Sequence, residues 1–284
     1  MEFSFTEEQQ MIRDTAAAFL AEVSTSGAVR AAMVTEAGYD PALWRRLCDE
    51  MCWPAMHIPE EYGGLGLGYV ELVAVLEQMG RHLLCAPFSS TVCLATNALL
   101  VAGSDAQKAY YLPQIAAGTT GTLAWTGTSG RWGADAVELI CRRDGNGFVL
   151  DGTCRYTPDG HTAELLIVAA REPGSAGEEG ISLFMTSGEV AGLERQRLPT
   201  MDQTRTQAQL VFDGVRLPAD SVMGDHGLAW PQLARIIDLA TVAVAADQVG
   251  IAQQSLDSTV AYLQERVQFG RVIASYQAVK HKAA

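Results

Sequence analysis

The chain has 284 residues, of which 48% are hydrophobic and 19% charged, a balance typical of a globular protein and not of a disordered one. This length exceeds one typical hydrophobic core and predicts two or three domains. The formal net charge is −13 without any basic run, which argues against nucleic-acid binding.

The sequence also bears on the compartment and on metal binding. Its first residues lack a basic segment followed by an apolar one, and its apolar stretches are interrupted before a membrane-spanning length. We therefore expect a cytoplasmic protein without membrane insertion. Cys48 and Cys52 could share a helix face, but no second ligand pair follows them, so we expect no metal site. The six cysteines are predicted to be buried free thiols.

The first part of the sequence has helical features. Thr6 and Gln9 form a capping-box pattern before apolar residues at helical spacing, and Ser104 and Gln107 repeat it. We predict an N-terminal α-helical domain over residues 1–118.

The middle part contains short runs rich in strand-forming residues, separated by turn signals and not by helices. This pattern predicts a small antiparallel β-barrel or sandwich over residues 119–224. The six predicted strands are Leu123 to Thr126, Ala136 to Arg142, Phe148 to Tyr156, Ala163 to Ala170, Ile181 to Thr186 and Gln207 to Phe212.

A helical pattern returns near Leu228 and continues with few breaks to the last residue. Residues 225–284 are therefore predicted to begin a C-terminal helical bundle domain that is truncated here, in an α+β protein. A lone helical hairpin cannot bury so much apolar surface, so we expect further sequence, a second subunit, or both to pack against it.

Several short motifs occur in a fixed order along the chain. Together they resemble the acyl-CoA dehydrogenase family over the whole sequence, although function does not follow from fold alone. The motifs are Phe5-Thr6-Glu7-Glu8-Gln9, Pro59-Glu60-Glu61-Tyr62-Gly63-Gly64, Glu77 with Gly80-Arg81, Leu112-Pro113-Gln114-Ile115-Ala116-Ala117-Gly118, Asp213-Gly214-Val215-Arg216-Leu217-Pro218, and Arg266-Val267-Gln268-Phe269-Gly270-Arg271 with Gln277 and His281.

The resemblance implies an FAD-dependent oxidoreductase that desaturates an acyl-CoA. In the family the flavin lies between the β domain and the C-terminal helices. A carboxylate removes the α-proton while the β-hydrogen leaves as hydride to the flavin. The resemblance also implies electron-transferring flavoprotein as the electron acceptor and a dimer or tetramer, with the same or a homologous subunit.

The first flavin-contacting segment of the family matches Trp125, Thr126 and Thr128, with Thr126 in the place of the hydroxyl that bonds the flavin ring. The family's Glu-Pro is replaced by Gly127-Thr128, and Trp132 stands where a substrate-contacting serine is usual. The alternative for Thr126 is a strand-end hydroxyl that is satisfied locally.

The second segment matches Tyr156 to the aromatic residue against the flavin ring. Pro158 stands at the hydroxyl position near the flavin N5 and offers no donor, so Thr157 is the candidate substitute. The alternative for Tyr156 is ordinary packing at a domain boundary.

A third set, Arg266, Phe269 and Gln277, matches positions that reach the flavin nucleotide of a neighbouring subunit. An Arg suits a pyrophosphate because its fork donates two parallel hydrogen bonds. The alternative for Arg266 is a surface ion pair, for example with Glu265.

The catalytic base remains unknown at this level. Most relatives take it from a glutamate beyond the position of Ala284, and a minority from the position of Ala240, followed by an Arg at the position of Thr241. Neither residue of this chain can accept the proton. Asp238 matches a substrate-contacting residue, with a surface charge as the alternative.

Asp247 lies seven residues from Ala240, on nearly the same helix face, where the family favours small apolar residues. A buried carboxylate there would have a raised pKa unless it were paired. We expect it to pair across an interface, with a substitute base as the weaker alternative.

Two rival functions stay open. The changes at residues 127, 158, 240 and 241 favour a non-catalytic subunit that completes a flavin site in a complex. Trp132 gives slight support to a flavin oxidase or monooxygenase of the same fold.

Overall fold

The computed structural model describes residues 4–283. Both predicted capping boxes form: the side chains of Thr6 and Ser104 accept hydrogen bonds from the backbone N–H of Gln9 and Gln107. A π-helical segment, Ser89–Thr96, leads directly into the fifth helix. The α-helices before the sheet are α1 (Glu7–Val23), α2 (Ser26–Met33), α3 (Pro41–Asp49), α4 (Tyr69–Arg81), α5 (Asn97–Ala102) and α6 (Asp105–Ala116).

Eight strands follow and form one hydrogen-bonded sheet in the order β6-β7-β3-β2-β4-β5-β8, with β1 paired to β4. The strands are β1 (Gly121–Ala124), β2 (Ile140–Asp144), β3 (Gly147–Pro158), β4 (Leu165–Arg171), β5 (Ile181–Ser187), β6 (Leu193–Arg197), β7 (Gln207–Pro218) and β8 (Val222–Met223).

The sheet differs from the predicted antiparallel arrangement. Strands β1 and β4 run parallel, from the pair Gly121 and Leu165 onward, and β2 meets β4 in parallel at Ile140 and Arg171. Alternation along a strand indicates which residues are buried but not the direction of the neighbouring strand. The prediction also missed β6 and β8, and it placed strand structure at Ala136, which ends a short 3₁₀ turn.

The C-terminal part also differs from the prediction of nearly continuous helix. Helix α7 (Trp230–Glu265) is followed by a short antiparallel hairpin, β9 (Val267–Gln268) and β10 (Arg271–Val272), before α8 (Gln277–Ala283). At the hairpin turn Phe269 has φ 51° and Gly270 has φ 76°. Two successive residues with positive φ reverse the chain, and this turn interrupts the helix.

Helices α4 and α7 contact each other through backbone. A Cβ atom on Gly80 would lie 1.9 Å from the Asp247 carbonyl oxygen, and one on Gly250 would lie 1.8 Å from the Glu77 carbonyl oxygen. Only glycine permits this approach from both helices. The pair of glycines therefore fixes α7 against the N-terminal helices.

One apolar cluster joins all three parts of the fold. It contains Leu99 of α5, Leu123 of β1, Leu183 of β5, and Leu233 and Ile236 of α7. A second cluster lies on the other face of the sheet, because successive residues of β4 point to opposite sides and both sides are buried. The first half of α7 and β1 thus share one core, in which α7 contacts α5, the π-helical segment and β5.

Helix α7 is long and apolar enough, by length and composition alone, to cross a membrane. In this fold it packs against α4, and its carboxylates Asp247 and Asp257 bond to Arg205 and Arg81. We therefore interpret α7 as a packing helix. The absence of membrane insertion stays a prediction.

The six cysteines are free. Five are buried as predicted, whereas Cys52 is exposed, which corrects that expectation. Within residues 4–283 no group of three or more His, Cys, Asp or Glu side chains is arranged to hold a metal ion.

Candidate functional site

The ends of β1 and β3 are joined next to each other by a pair of hydrogen bonds. The backbone N–H of Arg155 donates to the Thr126 carbonyl at 2.8 Å, and the Thr126 hydroxyl donates to the Arg155 carbonyl. This bridge brings Thr126 beside Tyr156, as the sequence predicted for two parts of one site. It also shows that the buried Thr126 hydroxyl is satisfied locally as a donor, and its lone pairs still allow it to accept a hydrogen bond.

The loop after Thr126 is fixed by a single carboxylate. Glu138 accepts hydrogen bonds from the Thr128 N–H at 2.8 Å, the Thr128 hydroxyl at 3.0 Å and the Ser129 N–H at 3.1 Å. Burial raises the pKa of Glu138, but the bonds from Ser129 and Thr128 outweigh it and leave this pKa lowered. A Cβ atom on Gly127 would lie 2.3 Å from the Glu138 carboxyl, so the loop requires glycine there.

This loop presents an aromatic pair. Trp132 is 75% exposed and packs edge-on against the buried Trp125, with ring centroids 5.6 Å apart. Thr128 is exposed, but both its N–H and its hydroxyl are engaged by Glu138. The predicted flavin-contacting segment therefore offers Trp125 and Thr126 in a fixed position and Trp132 at the surface.

Tyr156 lies at an irregularity of β3, where the pairing with β7 shifts between Cys154 and Thr157. Its φ is 60°, its ring is 45% exposed, and the guanidinium of Arg155 lies 5.3 Å from the ring centroid. A left-handed backbone at an aromatic residue is strained and is common at ligand sites. The ring is thus held outward and is available to stack on a planar group.

Thr157 has a different environment from Tyr156. Its side chain is buried, a Cβ on Gly160 would meet its methyl group at 2.9 Å, and its hydroxyl has no partner among the described residues. Thr157 therefore does not share the exposed position of Tyr156. That it replaces the missing hydroxyl at Pro158 stays a prediction.

The sequence-based predictions did not include Asp159, whose carboxylate lies just after β3. Asp159 accepts hydrogen bonds from the hydroxyls of Ser90, at 2.6 Å, and of Thr206. Burial raises the pKa of Asp159, and the two hydroxyl bonds oppose that rise. Pro158-Asp159-Gly160 has the pattern of an ordinary turn, and the partners are distant in sequence, so no local signal marks this role.

The α7 segment matched to the family's alternative base has no acidic group in position. Ala240 is partly buried, and the Thr241 hydroxyl donates to the Ile237 carbonyl of its own helix at 2.8 Å. Asp238 is exposed, which agrees with a surface charge and leaves its contact with substrate a prediction.

Three hydrogen-bonded side chains, Tyr69, Asn97 and His57, connect this segment of α7 to the N-terminal part of the fold. The Tyr69 hydroxyl donates to the Leu239 carbonyl at 2.6 Å and accepts from the Asn97 amide, whose oxygen lies 3.1 Å from the His57 Nε2. Burial raises the pKa of Tyr69 to about 12 and lowers that of His57. Both side chains are therefore neutral near pH 7 and act in positioning α7.

Asp247 pairs with Arg205 of the segment that precedes β7. The predicted partner across an interface is thus a residue of the same chain, and the interface is the one between the sheet and α7. This pairing accounts for an acidic residue among small apolar ones and gives no support to Asp247 as a base.

The third predicted set lies on the C-terminal hairpin. Phe269 is 92% exposed at the turn, and the Arg266 carbonyl accepts from the Ile273 N–H at 2.8 Å. Gln277 begins α8 and is exposed. No ion pair of Arg266, with Glu265 or another acid, occurs within residues 4–283. The hairpin packs on the second half of α7, so the structure places this set apart from Thr126 and Tyr156.

The residues fit part of a flavin nucleotide. A buried guanidinium nitrogen, Arg155 Nε, has no partner in the described chain and lies beside the Thr126 bridge, where an acceptor-bearing ring would satisfy it. Arg266 and Phe269, which lie apart from this group, offer an exposed guanidinium and an aromatic face to the flavin nucleotide of a neighbouring subunit. Pro158 offers no hydroxyl near the flavin N5.

Comparison with known proteins identifies the family. The acyl-CoA dehydrogenase N-terminal domain matches residues 6–119, and the acyl-CoA dehydrogenase C-terminal domain matches residues 227–284. Acyl-CoA dehydrogenase IpdE2 of Mycolicibacterium smegmatis is 34% identical over 280 residues, which cover 98% of this chain and 72% of that protein. The chain belongs to the acyl-CoA dehydrogenase family. Its members are FAD-dependent oxidoreductases that act on the CH–CH bond of acyl-CoA.

Solved structures agree with this acyl-CoA dehydrogenase fold. A variant of the Tcur3481-Tcur3483 steroid ACAD superimposes with a TM-score of 0.85 and 30% identity, covering 98% of this chain and 72% of that one. The ChsE4-ChsE5 complex from Mycobacterium tuberculosis gives a TM-score of 0.87 and 26% identity, covering 100% and 74%. The predicted family, α+β fold class and enzyme class are confirmed.

Proposed function

We propose that this chain is a flavin-binding subunit of an acyl-CoA dehydrogenase that introduces an α,β double bond into an acyl-CoA. The observation that carries the proposal is the Thr126–Arg155 bridge, which holds Thr126 beside the outward-facing ring of Tyr156. The end of β1 and the first half of α7 (Leu233 and Ile236) belong to the same apolar cluster, which connects this group to α7. A flavin ring and the reacting carbons of an acyl chain would meet there.

The roles of the chain's residues follow from their chemistry. Thr126 would bond the FAD ring, Tyr156 would stack near it, and Arg266 would bind a pyrophosphate through its fork. Arg266, together with Gln277 and Phe269, would bind the flavin nucleotide of a neighbouring subunit. Bound FAD supplies an acceptor for two electrons. Ala240 occupies the position of the family's alternative base on α7 and cannot accept the substrate's α-proton. A carboxylate from another segment or subunit must therefore accept this proton.

We propose that a homologous subunit completes the site. Helix α7 exposes Val242, Val249 and Leu256, which lie seven residues apart and therefore nearly on one face of the helix. A partner subunit would cover this apolar stripe. The similar ChsE4-ChsE5 structure is described as a complex. Electron-transferring flavoprotein is proposed as the electron acceptor from the family resemblance.

We further propose that the acyl group carries a ring system. A relative at 30% identity is described as a steroid ACAD. In this chain Trp132 stands, exposed and supported by Trp125, at the position of a substrate-contacting serine. A flat aromatic surface favours a flat, rigid acyl group over a flexible straight chain.

The test is a visible absorption spectrum of the purified chain, alone and after co-expression with homologous acyl-CoA dehydrogenase subunits. The oxidised-flavin band should be strong in the mixed complex and should bleach anaerobically with a steroid-derived acyl-CoA, and less with a straight-chain one. A complex that binds flavin but bleaches only with NADPH would favour the monooxygenase alternative. The proposal would be overturned if the mixed complex bound no flavin, or if the homologous subunits were equally active without this chain.

A further inference from the structure

A concave surface lies where one face of α2 meets the end of α4. Ser26 and Arg30 project from α2 four residues apart, so they lie on the same face. Arg81 and His82 at the end of α4 line the same surface, together with Thr204 and Gln254. The cavity measures about 450 Å³. We call these six residues the arginine cleft.

The charge of the arginine cleft is opposite to that of the molecule. The chain carries 33 acidic and 20 basic residues, yet the residues that line this cavity include two arginines and no carboxylate. Arg81 is paired with Asp257, and burial and Arg81 lower the pKa of His82, so Arg30 supplies the unpaired positive charge. Asp202 lies next to it in the chain, and its Oδ1 is turned inward to accept bonds from the Thr204 N–H and hydroxyl. A local positive cavity in an acidic protein favours anions.

Arg81 and Arg30 differ in the hydrogen bonds that their guanidinium groups make. Arg81 Nη2 donates to Asp257 Oδ2 at 2.6 Å, which fixes its plane and leaves the other nitrogens free. Asp257 is held in turn by Gln253 at 2.8 Å. Arg30 has no ion pair and no side-chain hydrogen bond within residues 4–283. One fixed and one free guanidinium therefore line the same cavity, and each can donate paired hydrogen bonds to an anion.

The remaining walls are apolar. Val29 and Met33 of α2 lie beside Arg30, and Leu83 faces them from the end of α4. Leu83 is 40% exposed and has φ 51°, a conformation that leucine rarely adopts. An anion with an organic body would cover this apolar surface, whereas a free inorganic ion would not.

We propose that the arginine cleft binds the phosphate group of a small phosphate ester, with the organic part of the ester against Val29, Met33 and Leu83. Phosphate suits it because Arg forks donate paired hydrogen bonds to its oxygens. None of these residues is matched to the flavin nucleotide or to acyl-CoA, so this inference does not depend on the proposed function.

Calorimetric titration of the full chain with phenyl phosphate, and separately with inorganic phosphate, tests the assignment. Neither probe contains the flavin ring, so binding at the proposed FAD site is not what the titration measures. Phenyl phosphate should bind more tightly than inorganic phosphate, and added salt should weaken both. The Arg30→Gln variant should lose about tenfold or more in affinity, and Arg30→Lys should lose less.

Arg143→Gln is the matched control, because it removes another exposed arginine, which lies on β2 and does not line the arginine cleft. Its affinity should equal that of the parent protein. Equal affinity for the two probes would overturn the assignment to an ester. Unchanged binding in a folded Arg30→Gln variant, or no binding at millimolar phenyl phosphate, would overturn the site itself.

Discussion

A nitrogen of Arg205 lies 2.9 Å and 3.2 Å from the two carboxyl oxygens of Asp247, and a second nitrogen donates to the Leu84 carbonyl at 2.7 Å. Arg205 comes from the segment before β7, Asp247 from α7, and Leu84 from the turn after α4. One half-buried guanidinium therefore joins the three parts of the fold. The neighbouring Thr206 bonds to Asp159, so the same segment also supports the end of β3 that carries Tyr156.

The Asp247→Asn variant should be less stable by about 1–3 kcal/mol, because Arg205 loses a charged acceptor in a site that is largely shielded from water. Urea denaturation measures this, and the Asp247→Asn/Arg205→Met pair in a double-mutant cycle isolates the coupling. Flavin reduction by acyl-CoA in the complex should keep its rate constant. A loss of several orders of magnitude in that rate, with an intact fold, would instead make Asp247 a base.

The buried Asp159 predicts an unusual pH dependence. Burial raises the pKa of Asp159 in the folded state, so the folded protein favours the protonated carboxyl. The contribution of the protonated carboxyl to the free energy of unfolding is fully present below the ordinary Asp pKa. It is lost as the pH rises through the raised pKa. Asp159→Asn keeps a neutral acceptor for Ser90 and a donor for Thr206. Its stability relative to the parent should therefore improve as the pH rises above the ordinary Asp pKa.

Unfolding free energies of both proteins at several pH values check this, with the exposed Asp213→Asn as control. A constant difference across the range would show that Asp159 keeps an ordinary pKa in the folded protein.

The contrast between Thr126 and Asp159 shows what sequence can and cannot provide. Capping boxes, the positions of most strands and the match at Thr126 depend on short segments, whose patterns are local. Asp159 depends on Ser90 and Thr206, 69 and 47 residues away, and the parallel pairing of β1 with β4 depends on chain direction. The partners of Asp159 and the direction of β1 relative to β4 leave no pattern in neighbouring residues. The pairing of Asp247 with Arg205 is likewise invisible in a short segment.

The loop that carries Trp132 should depend on Glu138. In Glu138→Gln one of the two acceptor oxygens becomes an amide, so the Thr128 and Ser129 N–H groups cannot both keep their bonds. Their amide hydrogens should exchange faster than in the parent protein, while those of β3 stay protected. The lowered pKa of Glu138 means that its stabilising effect is present above the ordinary Glu pKa and is lost as pH falls through the lowered value.

Hydrogen exchange followed by mass spectrometry measures this, and Glu194→Gln, an exposed change on β6, is the matched control. Unchanged exchange at residues 128 and 129 would show that the loop is held by other contacts, such as Trp132 on Trp125.

The contact between α4 and α7 predicts opposite outcomes for two glycine substitutions. Gly250→Ala places a methyl group 1.8 Å from the Glu77 carbonyl oxygen, so the helices must separate, and this cost exceeds the gain of about 1 kcal/mol from better helix propensity. Gly27→Ala in α2 meets its nearest atom, the Thr25 hydroxyl, at 3.9 Å, and should stabilise by a few tenths to about 1 kcal/mol. Thermal unfolding of the two variants beside the parent separates packing from propensity. Equal stabilisation by both would mean that α7 does not lie against α4 as described.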